Sequence, residues 1–322
     1  MKQDFRMKPS KDSGILNHTR WCSGSEGMVL VLTLMMLTLI TAMVVEFAYG
    51  VYTSTSALYN WRDSQRLSFI AKSGVAMAVN TISRAPRSEL YKYLGKEIPV
   101  PDVSEGFSGS FIIKAEDENS KFNLNSLVWP NGQKNAYDSF IGLLDYLGLE
   151  TSIADRIVHW INPVSSLGLR YSGDITKSAS MDSVDELLLI KGIDYKTYEK
   201  LLPYVTVYGY DGTPGSRLIN MNTAPIPVIM SLAGSAVSIF KDDAERIVSA
   251  RDLKPFTSTS DENFAVAAGS LKTYLTDDKV GMDASNFRIT AIAEQNKIKR
   301  VIEAVVRIGG GSQGKILFWR EI

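Results

Sequence analysis

The chain has 322 residues, 45% of them hydrophobic, with 35 basic and 35 acidic side chains. A net charge of zero sets up no whole-chain field toward nucleic acid or an anionic membrane surface, and the apolar content excludes disorder as the default state. With one cysteine, Cys22, the chain has no internal disulfide and no thiolate metal cluster.

Met28 to Val45 (MVLVLTLMMLTLITAMVV) is eighteen residues without a charge, close to the roughly 20 that cross a bilayer. A secretory leader would follow a shorter apolar core with a small-residue cleavage site, whereas Glu46, Phe47 and Tyr49 stand there, so the segment is read as retained. Upstream, Lys2, Arg6, Lys8, Lys11 and Arg20 outnumber Asp4, Asp12 and Glu26, a balance that holds the arm in the cytoplasm and sends everything after Tyr49 across the membrane. The junction Glu26-Gly27-Met28 before unbroken hydrophobicity resembles the type IV prepilin leader. That resemblance implies a prepilin peptidase cut after Gly27, N-methylation of Met28 and loss of Cys22 with the leader; the competing reading is an ordinary signal anchor. Most pilins and pseudopilins have a glutamate five residues after the cut, which meets the terminal amine of a neighbour, but this position is Leu32. An acid within hydrocarbon is costly without a partner, so its absence is expected of a subunit that never docks beneath another, at the tip of a fibre.

Beyond the membrane run, Leu67, Ile70, Gly74 and Met77 with Ala71, Val75, Ala78 and Ile82 recur at spacings of three and four. They predict one helix from Met28 to about Ser83, roughly 80 Å at 1.5 Å per residue, ended by Pro86. Pro99, Pro101 and Gly106 predict a loop, and Phe107–Ala115 a strand. The matching strands come much later: Asn286–Ala293, a turn at Glu294–Lys297, Lys299–Ile308, a hairpin loop at Gly309–Gly314, and Lys315–Glu321. A sheet split in this way implies an insertion, about Asn119 to Met282. Its predicted helices are Tyr137–Leu147 with Gly148 as cap, one capped by Thr151 or Ser152 and stopped by Pro163, one opened by the capping box of Ser183 and Glu186, and Tyr195–Leu202. Others start at Thr223-Ala224-Pro225, cover Asp242–Arg251, and cover Ser258–Ala268. The fold class is therefore α+β: a long amino-terminal helix, transmembrane in its first half and amphipathic in its second, a small antiparallel sheet, and an all-helical insertion between the first and later strands.

Several stretches, in order, resemble general secretion pathway protein K, the large minor pseudopilin of type II secretion: Asp117–Leu127 (DENSKFNLNSL), Ala154–Asn162 (ADRIVHWIN), Ser183–Tyr208, Ile219–Pro225 (INMNTAP), and Pro255–Thr257 with the acidic helix after it. The resemblance implies a prepilin leader over 1–27, a transmembrane helix over 28–48, the rest of the helix and the first strand of a pseudopilin domain over 49–118, a helical insertion domain over 119–282 and the closing strands over 283–322. It implies a non-enzymatic subunit at the tip of a periplasmic pseudopilus, held in the bacterial inner membrane by a single pass with a cytoplasmic amino terminus and a periplasmic body. The partners it implies are the I-type and J-type minor pseudopilins, the major pseudopilin and prepilin peptidase, with no nucleic acid.

Members of this family commonly have an acidic, glycine-rich loop after the tryptophan helix, and calcium is associated with the class. Here that loop, Pro163–Ser180, has Asp174 as its only acid, where calcium wants six to eight oxygens. Asp242, Asp243, Glu245, Asp261, Glu262, Asp277, Asp278 and Asp283 read as first-turn charges and solvated loops, so no ligand is assigned and calcium stays an open question. Leu187–Leu202 and Ile219–Ala250 also look like helix-hairpin-helix repeats, the basis of an alternative reading as a minor pilin of a type IV pilus or a membrane-anchored DNA-uptake receptor. Asp194 in the first hairpin, and Asp242, Asp243 and Glu245 after the second at Ala233–Ala236, would oppose phosphate. His159 is the one histidine after the leader, no Gly-x-Ser-x-Gly elbow is present, and the Gly309–Gly314 run lacks the lysine and helix of a phosphate loop.

Overall fold

The structure, a computed structural model, describes residues 24–101, 107–129, 133–164, 175–209, 218–234, 241–309 and 314–322. Cys22 and Asp174 lie outside the described residues, as do Ser235 and Ala236 of the expected second hairpin and most of the Gly309–Gly314 loop.

Two units pack separately, Met1–Trp61 and Arg62–Ile322. In the first, the described residues are the opening part of helix α1 (Gly24–Arg84), and every side chain from Gly27 to Trp61 is exposed. The helix is long and apolar enough to cross a membrane. The hydroxyls of Thr33, Thr38 and Thr41 donate to the carbonyls of Leu30, Met35 and Leu37 at 2.7–2.9 Å, so these polar groups are satisfied inside the helix, as hydrocarbon requires.

In the second unit, Leu67, Ile70, Ala71, Val75, Ala78 and Ile82 of the predicted stripe are buried against one face of the sheet, whereas Met77, expected among them, is 43% exposed. α1 ends at Arg84, just before Pro86, and the short α2 (Arg87–Leu90) follows. Next come β1 (Glu97–Pro99) and β2 (Ser110–Asp117). The expectation of a loop at Pro99 is corrected: β1 pairs antiparallel with β2 from Glu97↔Lys114 to Pro99↔Ile112. It lies at the sheet edge, where a proline's missing N–H deprives no neighbour.

The insertion follows in the order β3 (Phe122–Asn123), α3 (Gln133–Leu147), α4 (Ser152–Ile161), α5 (Tyr195–Leu201), β4 (Val205–Thr206), β5 (Ile219–Asn220), α6 (Ile226–Ser231), α7 (Lys241–Leu253), α8 (Glu262–Ala268) and β6 (Val280–Gly281). Among the described residues its regular elements are helical except for these four short strands, so the expectation of an all-helical insertion needs that amendment. β3 pairs in parallel with β4, and β5 with β6. Each pair ties the start of a helical stretch to its end, a contact between distant residues that no local pattern announces.

Among the predicted caps, Gly148 adopts φ +62° after α3, and Ser183 and Glu186 form their capping box, though on a 3-10 turn, Val184–Leu189. Thr151 and Ser152 do not cap α4. Thr151 already has helical backbone angles and makes no side-chain cap bond, while the Ser152 hydroxyl turns to Glu150 at 3.3 Å. The last helix starts at Glu262 rather than Ser258 because Asp261 is the cap, its carboxylate accepting from the Asn263 amide at 2.9 Å.

The chain then returns to the sheet with β7 (Asn286–Gln295), β8 (Ile298–Arg307) and β9 (Lys315–Glu321), in the order β1-β2-β7-β8-β9. The turn from β7 to β8 has only two residues, Asn296 and Lys297, both at positive φ, the tight form whose twist suits a hairpin. Phe287, Ile289, Ala291 and Ala293 face α1, as their alternation predicts. On the opposite face, Val305, Leu317 and Phe318 join the core of the insertion. The sheet is thus sandwiched, and Phe287, fully enclosed, is a demanding position in it. Phe287→Ala is expected to cost about 3–5 kcal/mol, measured by denaturant unfolding of the detergent-solubilised chain.

Candidate functional site

Two features stand out: the exposed start of α1 and the joint from which the insertion hangs. The sequence-predicted processing residues Gly27 and Met28 lie in the first turns of α1, and Gly27 has nothing within 4 Å of where a Cβ would stand. Leu32, one turn on, is 53% exposed. Its side chain is hydrocarbon, with no buried polar group to satisfy.

The joint is built at the end of β2. Asp117 and Glu118 are consecutive and only 4% and 0% exposed, which demands that their carboxylates be bonded. The Asp117 carboxylate accepts from the Asn119 amide at 2.8 Å, from Asn220 Nδ2 at 2.8 Å and from the Thr223 hydroxyl at 2.5 Å. Glu118 accepts from Lys121 at 3.0 Å, from Arg288 Nε at 2.7 Å and from the Thr206 hydroxyl. Asn119 Oδ1 takes the Asn286 amide at 2.9 Å and the Ser285 amide at 3.1 Å, pinning the start of β7. From Glu118 a ladder of alternating charge continues across the sheet: Arg288 to Glu303, Glu303 to Arg320 at 2.5 Å, and Arg320 to Asp185 at 3.1 Å. Burial alone would raise the Glu118 carboxyl, but Lys121 and Arg288 overcome it and bring it down to about 2. Asp117 is raised by burial, against the pull of its Thr223, Asn220 and Asn119 hydrogen bonds, and stands at about 6.

The insertion itself is one plan used twice. Phe122-Asn123-Leu124-Asn125-Ser126 and Ile219-Asn220-Met221-Asn222-Thr223 open the two halves, and Ala154-Asp155-Arg156-Ile157-Val158 and Ala244-Glu245-Arg246-Ile247-Val248 lie within their helices. The asparagines do the same work in both. Asn125 donates to the carbonyls of Met181 and Val207, both at 3.0 Å, and accepts the Met181 amide at 2.8 Å. Asn222 donates to the carbonyls of Phe256 and Met282, both at 2.9 Å, and accepts the Phe256 amide at 2.8 Å. Each buried amide therefore clips two distant backbone segments together. The arginines correspond too. Gly192 (φ +88°) and Gly269 (φ +53°) are bends beside the guanidinium of Arg156 and of Arg246 respectively, and their positive φ favours glycine at both.

In this equivalence the counterpart of the first hairpin is Ala268-Gly269-Ser270; the hairpin expected at Ala233–Ala236 lies in part outside the described residues. In the counterpart the Asp243 carboxylate accepts from the Ser270 amide at 3.1 Å and pairs with Arg246. A protein acid occupies the place an incoming phosphate would need, which weighs against DNA binding. Of the acids considered for calcium, Asp243 and Asp261 are engaged as described and Asp278 accepts from Thr276 at 2.5 Å. Among the described residues no three His, Cys, Asp or Glu side chains converge on a metal position. His159 is half-buried on α4 beside Trp160, whose indole donates to Glu186 at 3.1 Å.

Residues 120–210 match a family model described as Type II secretion system (T2SS), protein K, and residues 219–279 match a second model of the same description. The two matches fall on the two repeats. Both matches are to the type II secretion system protein K family. A curated family member from Pseudomonas aeruginosa is 30% identical over 169 residues, 48% of each chain. Another, from Aeromonas hydrophila, is 25% identical over 241 residues, covering 66% of this chain and 71% of that protein. The first of these alignments thus spans about half the length of the relative. A chain in the crystal structure of the GspK-GspI-GspJ complex of enterotoxigenic Escherichia coli shares the fold, with a TM-score of 0.58 at 17% identity over 81% of this chain and 97% of that one.

Sequence reading had found the motifs of this family without their roles. The asparagine pairs carried a usable signal in their repeated Asn-x-Asn spacing, whereas Gly269 carried none, because its partner Arg246 lies in another helix. Replacing either clip, Asn125→Ala or Asn222→Ala, leaves buried backbone groups unpaired. Each is expected to cost about 2–3 kcal/mol, and a double variant to unfold its two repeats within the same transition, read by urea titration with circular dichroism.

Proposed function

We propose that this protein is a minor pseudopilin of the type II secretion system, a structural subunit rather than an enzyme, that caps a short periplasmic pseudopilus and primes its assembly. The observation that carries the reading is the combination, in one chain, of a two-repeat protein K body with an amino-terminal helix wholly exposed over its apolar part. An exposed apolar helix needs either lipid or other helices around it. In this reading it has both in turn: the inner membrane before assembly, and the helices of partner pseudopilins afterwards. The cytoplasmic leader is removed between Gly27 and Met28 by prepilin peptidase, Met28 is N-methylated, and the body lies in the periplasm.

The partners follow from the related complex, which joins GspK to GspI and GspJ. Here they are taken to be the I-type and J-type minor pseudopilins, with the major pseudopilin below. Leu32 supports a terminal place, since a subunit with nothing above it has no neighbouring amine for a glutamate to meet. The bulk of the two repeats also favours a tip, where no stem has to stack past them.

Mass spectrometry of the amino-terminal peptide from membranes tests the processing step. A start at N-methylated Met28 that disappears without the host peptidase is the expected result; an intact Met1 start or a cut beyond Glu46 would remove the pilin-type reading. Leu32→Glu tests the tip. It should lower pseudopilus initiation and the export of a reporter exoprotein, and unchanged export would count against the terminal position.

A further inference from the structure

Asp117 and Glu118 are neighbours in sequence and equally enclosed, yet their surroundings differ in kind. Glu118 meets two cations, Lys121 and Arg288. Asp117 meets only neutral donors, the Asn119 amide, Asn220 and Thr223. The charges nearby do not answer it. Glu118 is of like sign, Arg288 on β7 is committed to Glu118 and Glu303, and Lys121 to Glu118. From the second repeat, Arg251 Nη1 donates to the carbonyls of Met221 and Ala224, at 2.8 and 2.6 Å.

The duplicated plan supplies an internal control. In the first repeat, Ser126 turns its hydroxyl onto the carbonyl of Asn123 at 2.6 Å. The corresponding Thr223 lies 3.4 Å from the carbonyl of Asn220, because its hydroxyl is drawn to Asp117 instead. The corresponding asparagines differ likewise: Asn123 Nδ2 donates to the Tyr208 carbonyl at 3.0 Å, whereas Asn220 Nδ2 donates to Asp117. The second repeat is thus bonded to the sheet through one side chain that can gain or lose a proton.

We propose that Asp117 is a proton-operated latch between the sheet and the second repeat, holding that repeat tightly when neutral and less tightly when ionised. The neutral acid donates its new O–H to the Thr223 oxygen. Thr223 then returns its own hydrogen to the Asn220 carbonyl, the arrangement Ser126 already shows, while the Asn119 amide keeps its bond to Oδ1 and Asn220 Nδ2 donates to the protonated Oδ2. No group is left unpaired, and no uncompensated charge is buried. Ionised, Asp117 keeps three acceptor bonds but places a charge beside Glu118.

The sign follows from the raised affinity. The folded chain holds this proton up to about pH 6, while an unfolded aspartate releases it near pH ~4. The contribution to stability is therefore complete in acid, is lost as pH rises across that interval and is flat above it. Glu118, pulled down to about 2, acts oppositely and only at lower pH.

The test is the unfolding equilibrium of the full chain in detergent between pH 4.5 and 7.5, for wild type, Asp117→Asn and Thr223→Val. Relative to Asp117→Asn, which mimics the neutral acid, wild type is expected to lose about tenfold in the equilibrium per pH unit up to about pH 6, and nothing further above. Thr223→Val removes a donor to the carboxylate, so the upper end of the window should move to higher pH. Amide-exchange protection of α6 and α7, corrected for intrinsic rates, should follow the same window while α4 does not. Parallel curves for wild type and Asp117→Asn would overturn the latch. Should Asp117→Asn fail to fold, an unmoved window in Thr223→Val overturns it alone.

Discussion

The body of this protein hangs from two carboxylates placed side by side where water cannot reach them. Burying an ionised group costs several kcal/mol unless it is paired and bonded, so Asp117 and Glu118 oblige whatever packs around them to bring donors. Glu118 receives Lys121, Arg288 and Thr206, which tie it to the first repeat and to β7. Asp117 receives Asn220 and Thr223, which tie it to the second. With Asn119 holding Ser285 and Asn286, three consecutive residues orient everything that follows β2. The insertion leaves the sheet and re-enters it at one point, and that point is over-determined by hydrogen bonds rather than by apolar contact.

Within the insertion the same economy appears twice. A small helical repeat has few residues with which to enclose a core, and each here closes its ends with a two-residue parallel strand pair and a buried asparagine amide. The apolar interior then fills the remaining space, with Phe122 stacked on Phe140 and Phe256 set edge-on to Phe264, both at 5.2 Å between ring centres. What distinguishes the repeats is how they are attached. The first is bound through charge, along the ladder from Glu118 to Arg320 and Asp185, with Arg288 also lying over the Tyr208 ring at 5.8 Å. The second is bound through neutral donors to a single acid. Equal folds with unequal attachments give the body one firm half and one whose hold depends on a proton.

The first stretch of α1 obeys a different constraint. Its apolar side chains are exposed over the length of a bilayer, so their environment has to come from outside the chain. The hydroxyls that interrupt the apolar surface are turned onto helix carbonyls. Such a surface suits lipid and apolar helix neighbours equally, which is what a subunit passing from a membrane into a fibre requires.

Local chemistry determined much of this protein from sequence alone. The uncharged run from Met28, most of the three-and-four spacing to Ile82, the alternation of β7, Gly148 and the Ser183–Glu186 capping box depend on residues a few positions apart and have the form their pattern predicts. The sheet's division by an insertion was legible for the same reason, since strands advertise themselves individually. Tertiary structure alone decided where distant groups meet. It placed a proline-bearing strand at the sheet edge, started α8 at Glu262 behind Asp261 rather than at Ser258, and joined β3 to β4 and β5 to β6. It also made Asp117 and Glu118 the joint. Each of these depends on partners tens to more than a hundred residues away, or on competition between neighbouring caps. A buried carboxylate reads in sequence like any surface acid until its donors are brought to it by the fold.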